Sequence, residues 1–369
     1  MKSNSIVLDI GTDFTKGGYA LFHTPSVMIP TLVGSQKKSI LSKRNIKSKN
    51  FRPIYFGNEA VARKTLLDLN YPMCRSAISN WDSFEYFVDY ILTKELNISI
   101  EHDAILVTET PKNPTYQREK LAEILFENWN FEKINLSSQT ILSLYANGKT
   151  DGIVVNIGEG STQIMPIFEG YILNEGLSRI DMAGYDISIR MKNILNEKGI
   201  VLCEKIDYEL LKYIKNEVCA VDLCKYNGKK HEKMEYFLPD GQSFFLTHSE
   251  RTEATEILFD PENWGQDSIG IQKLINQSVL NCEIDIRRQL YSNMILSGGT
   301  TMLDKFPQRL GKELQELVPN GTKMNILANP ERHKSSWIGG SILASLSTCN
   351  WLFKTAYQEK GPSILKNFF

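Results

Sequence analysis

The chain has 369 residues, 42% of them apolar, and a formal net charge of −1. That length is too great for one simple core and points to two domains or four smaller units. The near-neutral balance excludes a protein that coats nucleic-acid phosphates, which would be basic overall.

In chain order, SIVLDIGTDFTKGGYALF (5–22) predicts a β-hairpin: an apolar strand, a glycine-containing turn and a second strand. The stretch 36–50, QKKSILSKRNIKSKN, carries six basic residues and no acid. It reads as a solvated loop or, more sharply, as a docking surface for an acidic partner. It lacks the aromatics that stack single-stranded nucleic acid. SFEYFVDYILTKEL (83–96) and REKLAEILFENW (118–129) have apolar residues at helical spacing, and AILVTET (104–110) between them reads as a buried strand. DGIVVNIGEGSTQIMPIFEGYIL (151–173) repeats the plan of the opening hairpin, which suggests an internal duplication. ISIRMKNILNEKG (187–199) and KIDYELLKYIKNEVCAV (205–221) predict helices, and CKYNGKKHEKMEYFLPDG (224–241) an irregular polar stretch. Strand-like MILSGGTTML (294–303) leads into the helix KFPQRLGKELQEL (305–317), and WIGGSILASLST (337–348) is a glycine-led helix. Strands alternating with helices, with glycine at the junctions, give the class α/β.

The cysteines, Cys74, Cys203, Cys219, Cys224, Cys282 and Cys349, lie mostly in apolar stretches without metal-ligand spacing, and read as reduced core thiols. No apolar run reaches the ~18–20 residues of a membrane span. MKSNS runs straight into a strand without a signal-peptide pattern. The expected setting is cytoplasmic, with the nucleus open.

The two hairpin turns, LDIGTDFTK (8–16) and VNIGEGSTQ (155–163), carry the chemistry. A turn of glycine, serine and threonine can aim several backbone N–H groups into one concave space that suits a polyphosphate. Residues 297–301, SGGTT, opening a helix, would add a third donor cluster. No GxxxxGK[ST] pattern is present, so this is not a P-loop protein. The first turn has a carboxylate, Asp9, where the second has Asn156.

In register with these turns, LSGGTTM (296–302), WIGGSILASLST (337–348), GPSI (361–364), ILSLYANGKTDGIV (141–154), LPDGQ (238–242), YP…NWD (71–82) and DIRRQLYSNMILSGG (285–299) resemble the actins and actin-related proteins over almost the whole chain. The resemblance implies a two-lobed actin-like ATPase fold built from a duplicated unit, with four subdomains around a nucleotide cleft. Residues 1–30, 72–147 and 335–369 would form the first subdomain, 31–71 the second, 148–182 and 267–334 the third, and 183–266 the fourth.

It also implies ATP or ADP with Mg2+ as cofactor. By position, Asp9, Gly11, Thr12 and Lys16 match the first phosphate hairpin, with Asp9 reaching the metal through water. Gly158 and Gly160 match the second hairpin, Gly184 and Lys215 the nucleoside region, and Gly298, Gly299 and Thr300 the loop over the phosphates. Gln139 matches the glutamine that orients the attacking water. Several positions depart from the pattern. Asn156 and Gln163 replace an expected aspartate and histidine, and Glu159 is one methylene longer than the aspartate expected there. Asp13 stands where a small residue is expected, Asn216 where a glutamate is, and His333 where a lysine is. Losing a positioned proton acceptor costs ~10²–10⁴-fold in rate, whereas binding spread over many backbone donors survives. At most a slow ATPase of the actin type is expected.

The assembly surfaces point the same way. The stretch 36–50 lacks the pattern of actin's mobile loop, with Ile40 and Leu41 its only adjacent apolar pair. The plug position DPENWGQDSIG (260–270) retains Trp264 but carries Asp260, Glu262 and Asp267. The apolar cleft is kept in Tyr145, Gly148, Thr150, Leu343, Leu346 and Leu352, with Ala146, Tyr171 and Thr348. The expected protein is a subunit of a larger cytoskeletal or motor-associated assembly. Its partners would be other protein subunits, with actin or actin-binding proteins at the cleft. A filament-forming conventional actin and a nuclear subunit of a chromatin-remodelling complex stand as alternatives. A sugar kinase would need a sugar pocket with a catalytic aspartate, for which no stretch stands out. A chaperone ATPase would carry a further domain where this sequence ends in KGPSILKNFF, which resembles the end of actin.

Overall fold

The computed structural model describes residues 5–37, 53–98, 104–202, 204–223, 233–238 and 241–366. They divide into two compact units, one drawn from Met1–Lys149 and Lys334–Phe369, the other from Thr150–His333.

The first unit is built on a six-stranded sheet with Ser5–Ile10 near its centre. That strand pairs antiparallel with Phe14–Tyr19 on one side and parallel with Ala104–Glu109 on the other. Beyond these lie Val27–Pro30 at one end, and Lys133–Ser138 then Leu352–Phe353 at the other. Every residue of Ser5–Ile10 is buried because its two faces serve two cores. Ile6, Leu8 and Ile10 join the cluster of Phe84, Phe87, Val88 and Ile91, while Val7 joins Leu106, Leu142 and Trp337. Burial on both faces explains a run that is nearly continuous in apolar residues.

Helix Ser335–Ser345 lies against helix Gln139–Tyr145 so closely that glycine is obligatory at the contact. A Cβ on Gly339 would stand 1.8 Å from the Leu142 carbonyl oxygen. Trp337, wholly buried two residues earlier, ties the helix to the sheet by donating its indole N–H to the Val7 carbonyl at 3.0 Å. This contact fixes Gln139, at the start of its helix, relative to the first hairpin.

The second unit repeats the plan. Gly152–Ile157 pairs antiparallel with Thr162–Phe168 and parallel with Met294–Ser297, which in turn pairs parallel with Ile326–Leu327. The short strands Tyr171–Ile172 and Ser178–Ile180 lie along the outer edge of Thr162–Phe168. A central strand flanked by its own hairpin partner and by a later parallel strand therefore occurs once in each unit, which is the duplication expected from the sequence. One apolar core, including Ile153, Val155, Ile187, Leu211, Leu246, Phe259 and Phe306, serves this unit.

Three local expectations are corrected. The polar stretch after Cys224 is not irregular throughout: Lys233–Phe237 is a strand paired with Ser243–Thr247, turning Met234 and Tyr236 inward, while residues 224–232, 239 and 240 lie outside the described part. The strand beginning at Met294 ends at Ser297, followed by a short 3-10 turn, Gly299–Met302. The helix starts only at Phe306, because Lys305 adopts a left-handed conformation (φ 61°) that interrupts the chain between turn and helix. Cys219, Cys282 and Cys349 are buried thiols as expected, but Cys74 is exposed; Cys203 and Cys224 lie outside the described residues. Of the basic stretch 36–50 only Gln36 and Lys37 are described, and Lys37 donates to the Thr65 carbonyl at 2.9 Å. Among the described residues no helix is long and apolar enough to cross a membrane.

Candidate functional site

In the first unit, the hairpin register places Asp9 opposite Lys16. Asp9 is 2% exposed, and both of its carboxylate oxygens accept hydrogen bonds. Oδ2 accepts from Lys16 Nζ at 2.8 Å, and Oδ1 accepts from Thr108 Oγ1 at 2.7 Å and Gln139 Nε2 at 2.9 Å. Gln139 Nε2 also lies 3.3 Å from Thr108 Oγ1, so Thr108 touches both residues. Parallel pairing of Leu8 with Val107 brings Thr108 beside Asp9 at the ends of adjacent strands. The turn itself is held by the Gly11 N–H donating to the Phe14 carbonyl at 3.2 Å and by Thr31 Oγ1 donating to the Gly11 carbonyl at 2.8 Å. Thr12 Oγ1 accepts from the Ser76 N–H at 3.0 Å. The sequence names Asp9, Gly11, Thr12, Lys16 and Gln139, which the fold brings together, and does not name Thr108, which touches two of them. Its signal is that it is the first polar residue after the apolar run 104–107.

In the second unit, Asn156 and Gln163 occupy the same cross-strand register. Asn156 Nδ2 donates to Gln163 Oε1 at 3.4 Å, and Gln163 Nε2 donates to Ser161 Oγ at 3.1 Å. The turn repeats the backbone bond of the first, with the Gly158 N–H donating to the Ser161 carbonyl at 3.2 Å. Gly160 completes this turn and is buried. The Gly158 carbonyl accepts from the Gly184 N–H at 3.1 Å and from Thr300 Oγ1 at 2.7 Å. Gly298 has φ 90°, and a Cβ there would lie 2.2 Å from the Ile157 carbonyl oxygen, so only glycine lets this loop close on the hairpin. Gly299 is open on its Cβ side.

Glu159 and Lys215 form an ion pair at 2.5 Å, each side chain 6% exposed. Glu159 also accepts from the Tyr208 hydroxyl at 2.7 Å, and Lys215 donates to the Gly184 carbonyl at 3.2 Å. Burial pushes the Glu159 carboxyl up, but the Lys215 ammonium beside it and the Tyr208 hydroxyl overcome this and hold it below the usual carboxylate value. The longer glutamate thus reaches a buried cation. Tyr208 is a second residue that the sequence reading missed. Asn216, by contrast, is exposed next to Lys215.

The protein-family model Actin matches residues 1–209 and 204–369, which together take in the whole chain. The chain belongs to the actin family. Members of the actin family generally bind ATP or ADP with a divalent metal, and the residues present fit such a group. Gly299 is open on its Cβ side where Gly298 lets the loop close on the second hairpin, and each turn carries backbone N–H groups and threonine hydroxyls. Among the described residues no group of three or more His, Cys, Asp or Glu could cage a metal. Asp9 supplies a carboxylate beside Lys16 in the first turn, and Asn156 supplies none at the matching position in the second.

The residues expected from the sequence at an apolar cleft fall differently from one another. Tyr145 and Leu343 are half-buried, packed on the cluster around Trp337, and Leu346 is 49% exposed. Gly148 has φ 63° and nothing within 4 Å of its Cβ side. Leu352 is corrected: it is wholly buried, paired with Ile134 and packed in the first unit's core, so its side chain lines no surface cleft. Thr150 is exposed and belongs to the second unit. At the plug position, Trp264 lies under the Arg190 guanidinium, 4.1 Å from the ring centroid, and Arg190 pairs with Glu253. Asp260 accepts from Asn263 Nδ2 at 2.7 Å.

Proposed function

We propose that this protein is an actin-family nucleotide-binding structural subunit that holds ATP or ADP with Mg2+ and hydrolyses it slowly or not at all. The observation that carries the proposal is the pairing of Asn156 with Gln163. Both side chains are amides, which neither gain nor lose a proton near neutral pH. They occupy the positions where a proton-accepting aspartate and histidine are expected, so a water attacking the terminal phosphate would find no base there.

Binding rests on other groups. The glycine turns and Thr300 would cradle the phosphates, Lys16 would add a positive charge, and Lys215 with Gly184 would lie toward the nucleoside. Asp9 would hold a water of the metal's shell, and Gln139, fixed by Asp9 and Thr108, would orient the attacking water. The four-subdomain division belongs to this reading. So does assignment to a cytoplasmic, cytoskeletal or motor-associated assembly rather than to a long homofilament. The altered plug supports it: Trp264 is held against its own unit by Arg190, and Asp260, Glu262 and Asp267 flank it in sequence. Burying unpaired carboxylates between filament strands would be costly.

The test combines nucleotide analysis of the purified protein with sedimentation in Mg2+ and salt beside a conventional actin. Bound adenine nucleotide without pelleting is the expected result. Pelleting like the conventional actin would favour a filament former, and a protein that neither carries nor takes up nucleotide would overturn the proposal.

A further inference from the structure

Arg332 is 7% exposed, and its guanidinium is surrounded by neutral acceptors. Nε donates to Thr301 Oγ1 at 3.0 Å, Nη2 to the Thr301 carbonyl at 2.8 Å, and Nη1 to the carbonyls of Asn329 at 2.9 Å and Ala328 at 3.4 Å. Its own carbonyl accepts from the Gly298 N–H at 3.2 Å. Among the described residues no carboxylate forms an ion pair with it. Arg309, buried in the same unit, shows the usual solution: its guanidinium meets Glu256 through two bonds, at 2.8 and 3.0 Å, and Glu313 at 2.8 Å.

A buried cation without a counter-ion is costly, because hydrogen bonds to neutral groups replace only part of its lost hydration. Burial accordingly pulls the Arg332 guanidinium below its ordinary value. The position of this charge is informative. It grips one side of the loop 298–301, while the other side rests on the second hairpin through Thr300 Oγ1 and the Gly158 carbonyl at 2.7 Å. Loop, hairpin and arginine form one connected piece.

We infer that Arg332 is a positioning residue for an anion at the loop 298–301, holding the loop in shape and supplying a positive charge that a bound polyphosphate neutralises. This inference rests on the nucleotide-binding reading and adds to it a residue that touches the loop rather than the ligand. The unpaired charge makes the loop selective for phosphate charge over a neutral ligand of similar shape.

The test uses the full chain and titrates Mg-ATP, and adenosine as a ligand without phosphate, into the wild type, Arg332→Gln and Arg332→Lys. Removing one weakly screened buried charge is expected to weaken Mg-ATP binding about tenfold or more in Arg332→Gln and to leave adenosine binding near the wild-type value. Arg332→Lys keeps the charge but loses the fork that holds the loop, so it should bind Mg-ATP more tightly than Arg332→Gln does. A glutamine variant with wild-type Mg-ATP affinity, or one that loses adenosine as much as Mg-ATP, would reduce Arg332 to a scaffold residue and overturn the inference. If Arg332→Gln does not fold, Arg332→Lys decides, since a loss beyond tenfold there would mean that shape and not charge is at work. A wild type that binds no Mg-ATP would sink the nucleotide reading itself. Wild-type binding with uninformative charge variants would sink only the role of Arg332.

Discussion

Asn156 donates to Gln163 across the second hairpin at 3.4 Å, in the cross-strand register where Asp9 and Lys16 form an ion pair in the first. The duplicated unit has kept a carboxylate and an ammonium in one copy and two amides in the other. An ion pair at such a turn can face phosphate and metal, whereas an amide pair only holds its own strands together. The difference in chemistry therefore lies in two side chains on an otherwise common backbone.

Restoring titratable groups should restore chemistry. The double variant Asn156→Asp with Gln163→His is expected to raise phosphate release from bound ATP by ~10²-fold, the lower end of what a positioned general base contributes. The gain should follow the titration of a histidine near pH 6.5. Single-turnover release measured between pH 5.5 and 8 checks this; an unchanged rate would show that hydrolysis is limited elsewhere.

Thr108 makes a separate prediction in the first unit. Thr108→Val keeps the shape but removes the hydroxyl that donates to Asp9 and accepts from Gln139. It should cost about 1–2 kcal/mol of stability in urea unfolding, as expected when a buried hydrogen-bonding partner is lost. Mg-ATP affinity should fall as well. Thr108→Ser should recover both, and failure of that rescue would mean that the methyl group, not the hydroxyl, matters.

The ion pair of Glu159 and Lys215 sets a pH dependence. Because the folded protein holds the Glu159 carboxyl below its ordinary 4.5, its contribution is fully present above the unfolded value. It is lost as pH falls through the lower folded one. Thermal stability should therefore drop on acidification below about pH 4.5, and Glu159→Gln should blunt that drop. Lys215→Met, which leaves a buried carboxylate unpaired, should cost ~3–5 kcal/mol at neutral pH. Chemical denaturation at pH 7 and pH 4 measures both.

Gly339 tests the packing that holds Gln139 in place. Gly339→Ala would put a methyl group 1.8 Å from the Leu142 carbonyl oxygen, so the two helices must separate. Overpacking of this kind costs typically ~1–3 kcal/mol and can cost more where the obstacle is backbone. A lower melting temperature with weaker nucleotide binding is expected. A fully stable variant would show that the helix contact is looser than the distance implies.

Much of the architecture was legible because it is written in short periodic runs. The two hairpins, Ala104–Glu109 and the helices Gly184–Glu197 and Phe306–Leu317 announce themselves by apolar spacing and glycine turns. Strand Lys233–Phe237 did not, because its inward residues alternate with lysine and glutamate inside a polar stretch. The turn residues Asp9, Gly158 and Thr300 were readable from local sequence, yet Thr108, Tyr208 and Arg332 were not. Each meets its partner from far along the chain, by sheet pairing or helix packing that composition does not reveal. Leu352 went astray for the opposite reason: an apolar residue near a surface cleft in sequence register turned out to be a core strand residue.

The most direct measurement follows the fate of γ-labelled ATP loaded with Mg2+ onto the purified protein, beside a conventional actin in the same buffer. Retention of intact ATP, with phosphate release at least ~100-fold slower than in the conventional actin, is the expected result for a site that keeps its donors and lacks a base. Release at the conventional rate, or no retained nucleotide and no rise in melting temperature with Mg-ATP, would contradict it.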